Sequence, residues 1–123
     1  HELQEARERG AEIITFNPIR ERGLERFVDP QSPREMLTPD STVISTQYHQ
    51  LAIGGDIAAV TGICKALLAL DDEAQTAGTP RVLDVDFIAQ HTHGFEAFEQ
   101  RVRGYAWSML ERRSGLSRAA MEA

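Results

Sequence analysis

Two short stretches carry residue types suited to holding a ligand. One is LAIGGDIAAV, residues 51–60, in which an apolar segment meets Gly54-Gly55-Asp56 and a second apolar run begins. Glycines let a ligand come close to the backbone. The start of a helix just after them adds free N–H donors. An acid at that point disfavours a phosphate beside it, because a carboxylate only accepts hydrogen bonds. It suits a donor edge such as guanine N1–H with its exocyclic amine, or a ribose diol. The other stretch is Asn17-Pro18-Ile19-Arg20, at the end of an apolar run, where Arg20 or Arg22 could answer phosphates. On residue types alone, Gly-Gly-Asp also reads as a plain turn with Asp56 as an N-cap, accepting from free backbone N–H groups.

The remaining candidates read as structural. His91 and His93, at i and i+2, can share a metal only on extended backbone, and no Cys-rich or acidic ligand set accompanies them. They fit a polar helix end. Cys64 lies on an apolar helix face, where a small core residue is expected rather than a nucleophile. Asp71-Asp72-Glu73 reads as a solvated helix end, and Phe95, Phe98, Tyr105 and Trp107 as core. No Ser/His/Asp set, Walker loop or GxGxxG occurs. No residue is assigned a catalytic or metal-binding role.

These stretches need elements to position them. Residues 2–9 are helix formers, with Gly10 placed as a stop. AEIITFNP comes next, and its β-branched run between a Gly and a Pro predicts a buried strand over Ile13 to Phe16. A helix, a short turn and an apolar strand form the αβ step of a parallel sheet. Residues 19–42 read as irregular, with room for a short helix over Arg20 to Arg26 and turn-rich stretches at Pro30, Pro33 and Pro39, and a loop this long is functional or an interface element. TVIST (42–46) and YHQLAI (48–53) predict strands. The strongest helix is expected over about 57–70, with Ile57, Val60, Ile63, Cys64, Leu67 and Leu68 at helical spacing, before DDEAQTAGTP breaks the pattern. Asp84 caps a helix carrying Val85, Phe87 and Ile88. FEAFEQRVRG and YAWSMLERRSG predict two more helices, stopped by Gly104 and Gly115, and Ser117 caps the segment after it. The first half is therefore αβ-like and the second helical.

Composition narrows the classes. A chain of 123 residues, 41% hydrophobic and 26% charged, supports one domain with a modest core. A net charge of −6 argues against a general nucleic-acid binder. One cysteine allows no internal disulfide and fits a reducing, cytoplasmic setting. No apolar run approaches a membrane span, and no signal peptide is visible. The opening on His1 and the close on SRAAMEA lead to the expectation of a piece cut from a longer chain.

Four motifs in order carry a resemblance. They are Asn17-Pro18-Ile19-Arg20, Ile53-Gly54-Gly55-Asp56, Asp84-Val85-Asp86-Phe87-Ile88 with His91-Thr92-His93-Gly94-Phe95-Glu96, and Ser114-Gly115-Leu116-Ser117. Over nearly its whole length the chain resembles the molybdopterin-dependent oxidoreductases of the dimethyl sulfoxide reductase superfamily. It looks most like the formate dehydrogenase-like alpha subunits. The resemblance implies a fragment of a Rossmann-like, three-layer αβα domain with a helical C-terminal half. Such a domain helps to bind one guanine dinucleotide of a bis-molybdopterin cofactor carrying molybdenum. Carried over residue by residue, the nucleotide contacts fall on Asn17, Pro18, Arg20, Gly54, Gly55 and Asp56. Asn17 stands where the family has Asp, Ile53 where it has Pro and Gly55 where it has Thr, and Arg20 falls one residue later than the family Arg. Asn keeps an acceptor but adds a donor and loses the charge.

No molybdenum-ligating Cys in a matching context and no Cys cluster for an iron–sulfur centre is present, which places both outside this segment. The 123 residues are not expected to catalyse a reaction by themselves. The implied partners are the other domains of a parent chain, with room for an electron-transfer subunit. The alternative from another class is a non-catalytic α/β module that docks a partner through the Pro-rich 27–40 loop.

Overall fold

The computed structural model describes residues 2–27 and 41–123. Most of the Pro-rich loop, residues 28–40, lies outside the described residues, and so does the docking role expected of it. The chain divides into two compact units, His1–Leu51 and Ala52–Ala123.

The first unit begins with α1 (Glu2–Glu8), which carries Glu2 and Glu5 in its first turn and Arg7 in its last. That order complements the helix dipole. Gly10 (φ +89°) then turns the chain in a conformation that favours glycine. Strand β1 (Ile14–Phe16) leads to α2 (Arg22–Glu25) and β2 (Arg26–Phe27). Beyond the loop come β3 (Thr42–Val43) and β4 (Gln47–His49). Strands β1 and β4 pair in parallel, with Ile14 opposite Gln47, Thr15 opposite Tyr48 and Phe16 opposite His49. Strands β2 and β3 pair antiparallel. The strands expected over 42–46 and 48–53 are thus shorter. Ile44 and Ser45 leave the β3 ladder and donate their N–H groups to the carbonyls of Glu25 and Leu24.

Strand β1 was expected to be buried, and that expectation is corrected. Ile14 is 51% exposed and Phe16 42%. Alternate residues of a strand face opposite ways, and here the inward position is Thr15. Its Oγ1 lies 2.5 Å from Ser45 Oγ, which itself donates to the Leu24 carbonyl at 2.6 Å. The hydroxyl pair satisfies both groups. Among the described residues of this unit, Gln4 and Ser45 are buried as well as Ile44 and Leu51.

The second unit is helical. Helix α3 (Asp56–Ala77) is followed by α4 (Val85–His91), α5 (Phe95–Gly104), α6 (Trp107–Ser114) and α7 (Arg118–Glu122). The caps explain the boundaries. Asp84 accepts from the Phe87 N–H at 2.9 Å, and Ser117 from the Ala120 N–H at 3.2 Å. Gly78, Gly94 and Gly115 take the left-handed backbone at helix boundaries. Asp84, Ser117 and Gly115 stand where the sequence puts them, whereas Gly104, expected as a stop, is the last residue of α5.

Three expectations for this unit are corrected. First, α3 does not stop near residue 70. It continues through Asp71-Asp72-Glu73 to Ala77, because Asp71 is enclosed and bonded rather than solvated. Second, of the bulky residues expected on the packed face of α3 only Leu68 is fully buried, and most of that face is small. Ala59, Gly62, Ala66 and Leu68 are buried, whereas Ile57 and Val60 are exposed. Small side chains let neighbouring elements approach closely: a Cβ on Gly62 would meet Met121 Sδ at 2.3 Å. Val102, Leu110, Leu116 and Met121 complete this core. Third, the aromatic residues expected in the core are at most half-buried. Phe95 and Phe98 pair at 6.2 Å, and Trp107 lies beneath the Arg118 guanidinium at 4.9 Å.

Candidate functional site

The six residues expected to contact a nucleotide fall in both units: Asn17, Pro18 and Arg20 in the first, Gly54, Gly55 and Asp56 in the second.

In the first unit the loop after β1 is held by its own side chains. Asn17 Nδ2 donates to Glu21 Oε1 at 2.9 Å, and its Oδ1 accepts from the Ile19 N–H at 3.3 Å. The Pro18 carbonyl accepts from Gln50 Nε2 at 2.9 Å. Tyr48 braces the loop from β4: its hydroxyl donates to the Ile19 carbonyl at 2.8 Å and accepts from the Glu21 N–H at 3.2 Å. Arg20 pairs with Glu25 at 3.1 Å and sits 5.9 Å above the Tyr48 ring. Both side-chain ends of Asn17 are thus occupied. Arg20 is exposed and retains N–H donors beyond that ion pair. A cleft of about 350 Å³ lies beside it, lined in part by Arg20, Arg26 and Tyr48.

In the second unit the two glycines differ in their physical reasons. Gly54 has φ +75°, and a Cβ there would meet nothing within 4 Å. Its backbone needs glycine, and the space beside it is open. Gly55 has an ordinary φ, but a Cβ would fall 2.7 Å from the Arg113 carbonyl and 2.9 Å from that of Ala52. Its glycine serves close packing against the end of α6. The Ala52 N–H, donating to the Ser114 carbonyl at 2.7 Å, ties the turn to the same place.

Asp56 is not the N-cap expected from the sequence. Gly55 occupies that position without a side-chain bond, and Asp56 is the first helical residue. One residue into the helix, a side chain points away from the N–H groups that a cap would serve. Asp56 is exposed and has no hydrogen-bond or ion-pair partner among the described residues. Its charge still gains from the helix dipole. A small cleft of about 180 Å³ opens beside Gly54 and Ile57, with Thr61, Tyr105, Met109 and Arg113 on its walls. No local pattern in the sequence brings Tyr105 and Arg113 to this turn.

The best-organised polar group lies elsewhere in the second unit. Asp71 is 2% exposed. Arg81 grips it through Nε (2.9 Å) and Nη2 (2.6 Å), and the N–H groups of Val82 and Leu83 donate to Oδ1 at 3.0 and 3.2 Å. Gln75 Nε2 donates to Oδ2 at 3.1 Å. The Arg81 hydrogen bond is the main influence on the carboxyl. Together with the Leu83 and Val82 N–H groups it outweighs burial and brings the pKa from 3.8 down to about 2. Every lone pair is thus committed, which makes this a staple and not an acid–base group. It lines a larger cleft of about 600 Å³, with Leu83, Ile88, His93 and Phe95 on its walls. His91 is not paired with His93; its ring lies against Phe87 at 4.9 Å. Cys64 is half-buried, and burial pushes its thiol pKa up. No group of three or more His, Cys, Asp or Glu that could hold a metal occurs among the described residues.

Comparison with known proteins connects this α/β and helical chain to oxidoreductases at a coarse level. No protein-family model matches it. It is 47% identical over 109 residues to Protein YdeP of Escherichia coli K12. It is 34% identical over 99 residues to a protein of Mycobacterium tuberculosis H37Rv named Uncharacterized oxidoreductase Rv2900c. These matches cover 89% and 80% of the chain but only 14% and 12% of the two relatives. The chain thus spans about a seventh of the length of the curated relatives it matches. No helix among the described residues is long and apolar enough to cross a membrane.

Proposed function

We propose that the chain is part of the cofactor-binding domain of a molybdenum-dependent, formate dehydrogenase-like oxidoreductase, and that it contacts the guanine end of a bis-molybdopterin guanine dinucleotide. The observation that carries this reading is the turn at 54–56. Gly54 offers an open backbone surface, and Asp56 beside it is an exposed carboxylate with no partner among the described residues. The similarity to a much longer protein named an oxidoreductase supports the same direction, as does the order of the four motifs.

In this reading Asp56 accepts from the N1–H and exocyclic amine of guanine, or from the ribose diol. Gly54 lets the nucleotide lie against the main chain. Gly55 contributes by fixing the turn against the end of α6. The resemblance also assigns Asn17, Pro18 and Arg20 to the nucleotide; within the first unit Arg20 keeps donors beyond its ion pair, on a loop shaped by Asn17 and Pro18. When bound, the molybdenum cofactor supplies the two-electron chemistry; the protein orients it. The parallel pairing of β1 and β4 is compatible with a Rossmann-like αβα parent domain, and ligands of such sheets lie beyond the strand ends. The metal ligands belong to other parts of the parent protein, which leaves room for an iron–sulfur cluster outside this segment and for an electron-transfer subunit. Its setting is cytoplasmic.

Calorimetric titration with GDP tests the role of the turn. Weak binding that disappears in Asp56→Ala is expected. Binding that survives Asp56→Ala unchanged rejects the assignment.

A further inference from the structure

The Ser114-Gly115-Leu116-Ser117 motif has no part in the nucleotide reading, yet its first two residues lie against the turn that carries Gly54 and Asp56. The last carbonyls of a helix have no partner within it. Ser114, the last residue of α6, is fully buried, and a buried carbonyl needs a protein partner. It finds one in the Ala52 N–H, at 2.7 Å. Gly115 takes the left-handed backbone, φ +76°, which ends the helix at that carbonyl. The helix end is itself held: the Gly115 N–H donates to the Glu111 carbonyl at 2.9 Å, and Ser114 Oγ accepts from the Leu116 N–H at 3.1 Å.

The two segments meet backbone on backbone, with a glycine on each side. A Cβ on Gly115 would fall 2.9 Å from the Ala52 nitrogen and 3.2 Å from Ala52 Cβ. A Cβ on Gly55 would fall 2.7 Å from the Arg113 carbonyl and 2.9 Å from Ser114 Cα. A side chain at either glycine forces the segments apart. The same helix walls the cleft beside Gly54 with Met109, Leu110 and Arg113. All of these contacts lie within the second unit.

We propose that Ser114 and Gly115 are positioning residues for the nucleotide: they hold the Ala52–Asp56 turn against the end of α6, so that Gly54 and Asp56 meet the guanine end in one fixed geometry. The inference rests on the guanine reading and gives the fourth motif a physical reason to accompany the second. Binding groups held by a supporting contact lose affinity steeply when that contact shifts.

The test uses the product of the complete reading frame. Asn adopts the left-handed backbone more readily than most residues, so Gly115→Asn keeps the helix stop while adding the Cβ that meets Ala52. Gly78→Asn is the matched change, because Gly78 ends α3 with φ +68° and a Cβ there meets nothing within 4 Å. Releasable GMP per protein is expected to fall about fivefold or more in Gly115→Asn and to stay at the parent level in Gly78→Asn. Hydrogen exchange gives a second readout that needs no variant. Ala52 is an exposed residue, yet its amide is expected to exchange about 100-fold or more slowly than a free amide, because Ser114 holds it. A parent protein without releasable GMP rejects the guanine reading, and the positioning role with it. A parent whose GMP is lost in Asp56→Ala but kept in full in Gly115→Asn rejects the positioning role alone. An equal loss in Gly78→Asn, or an Ala52 amide exchanging at the free rate, does the same.

Discussion

The two units bury different kinds of side chain. Among the described residues, the first encloses Gln4, Ser45, Ile44 and Leu51, and its internal ties are hydroxyl and amide hydrogen bonds. The second encloses Ala59, Ala66, Leu68, Val102, Leu110, Leu116 and Met121, with Ser114 and one charged residue, Asp71, among them. Burial of apolar surface contributes more per side chain than a net hydrogen bond does. The second unit is therefore the one whose stability is set by packing. Its Gly54–Asp56 turn is fixed by that packing, through Gly55 and Ala52.

Substitutions can undo that contrast. Trp107 is the only tryptophan and lies in the second unit, so its fluorescence follows the unfolding of that unit. Leu110→Ala has the largest expected effect, a loss of about 3 kcal/mol, because Leu110 is almost wholly buried and its removal leaves a cavity. A loss below about 1 kcal/mol would deny the packed core.

Asp71→Asn is next, with a melting temperature lowered by several degrees. It also alters the acid response. The folded pKa of Asp71, about 2, lies below its ordinary 3.8. The ionised form is thus favoured by folding, and this stabilisation is complete above about pH 4 and lost as the pH falls towards 2. Acid titration of the Trp107 signal should show a shallower loss over that window in the variant. An unchanged acid limb would show that the Asp71 staple does not hold the fold.

Gly55→Ala should cost about 2 kcal/mol through its clash with backbone carbonyls. Gly54→Ala should cost about 1 kcal/mol, for the left-handed backbone alone. Equal costs would erase the distinction between the packing glycine and the open one. The smallest effect belongs to the first unit: Phe16→Ala, at a half-exposed position, should cost less than about 1 kcal/mol in chemical denaturation.

Much of the helical unit was legible because its boundaries are local. Asp84, Ser117, Gly94 and Gly115 act through bonds and dihedrals within a few residues. The features that escaped depend on distant partners. Asp71 reads as solvated until Arg81, ten residues on, closes over it. Apart from Leu68, the buried apolar positions of α3 are the small residues Ala59, Gly62 and Ala66, which hydropathy ranks below Ile57 and Val60, and only the nearness of Met121 explains Gly62. Tyr48 braces the Asn17–Arg20 loop across a strand pairing that periodicity does not reveal. At the candidate site, Gly-Gly-Asp was recognisable as a turn, but its two glycines had to be seen in three dimensions to be told apart.

The central claim of the proposed function is that Asp56 and Gly54 hold the guanine end of a molybdenum cofactor. The decisive measurement is the molybdenum and guanine-nucleotide content of the protein purified from the complete reading frame, for the parent and for Asp56→Ala. Molybdenum together with releasable GMP is expected in the parent, with a marked loss of both in the variant. A parent protein without molybdenum and guanine nucleotide, or an Asp56→Ala protein that retains both in full, would contradict the assignment.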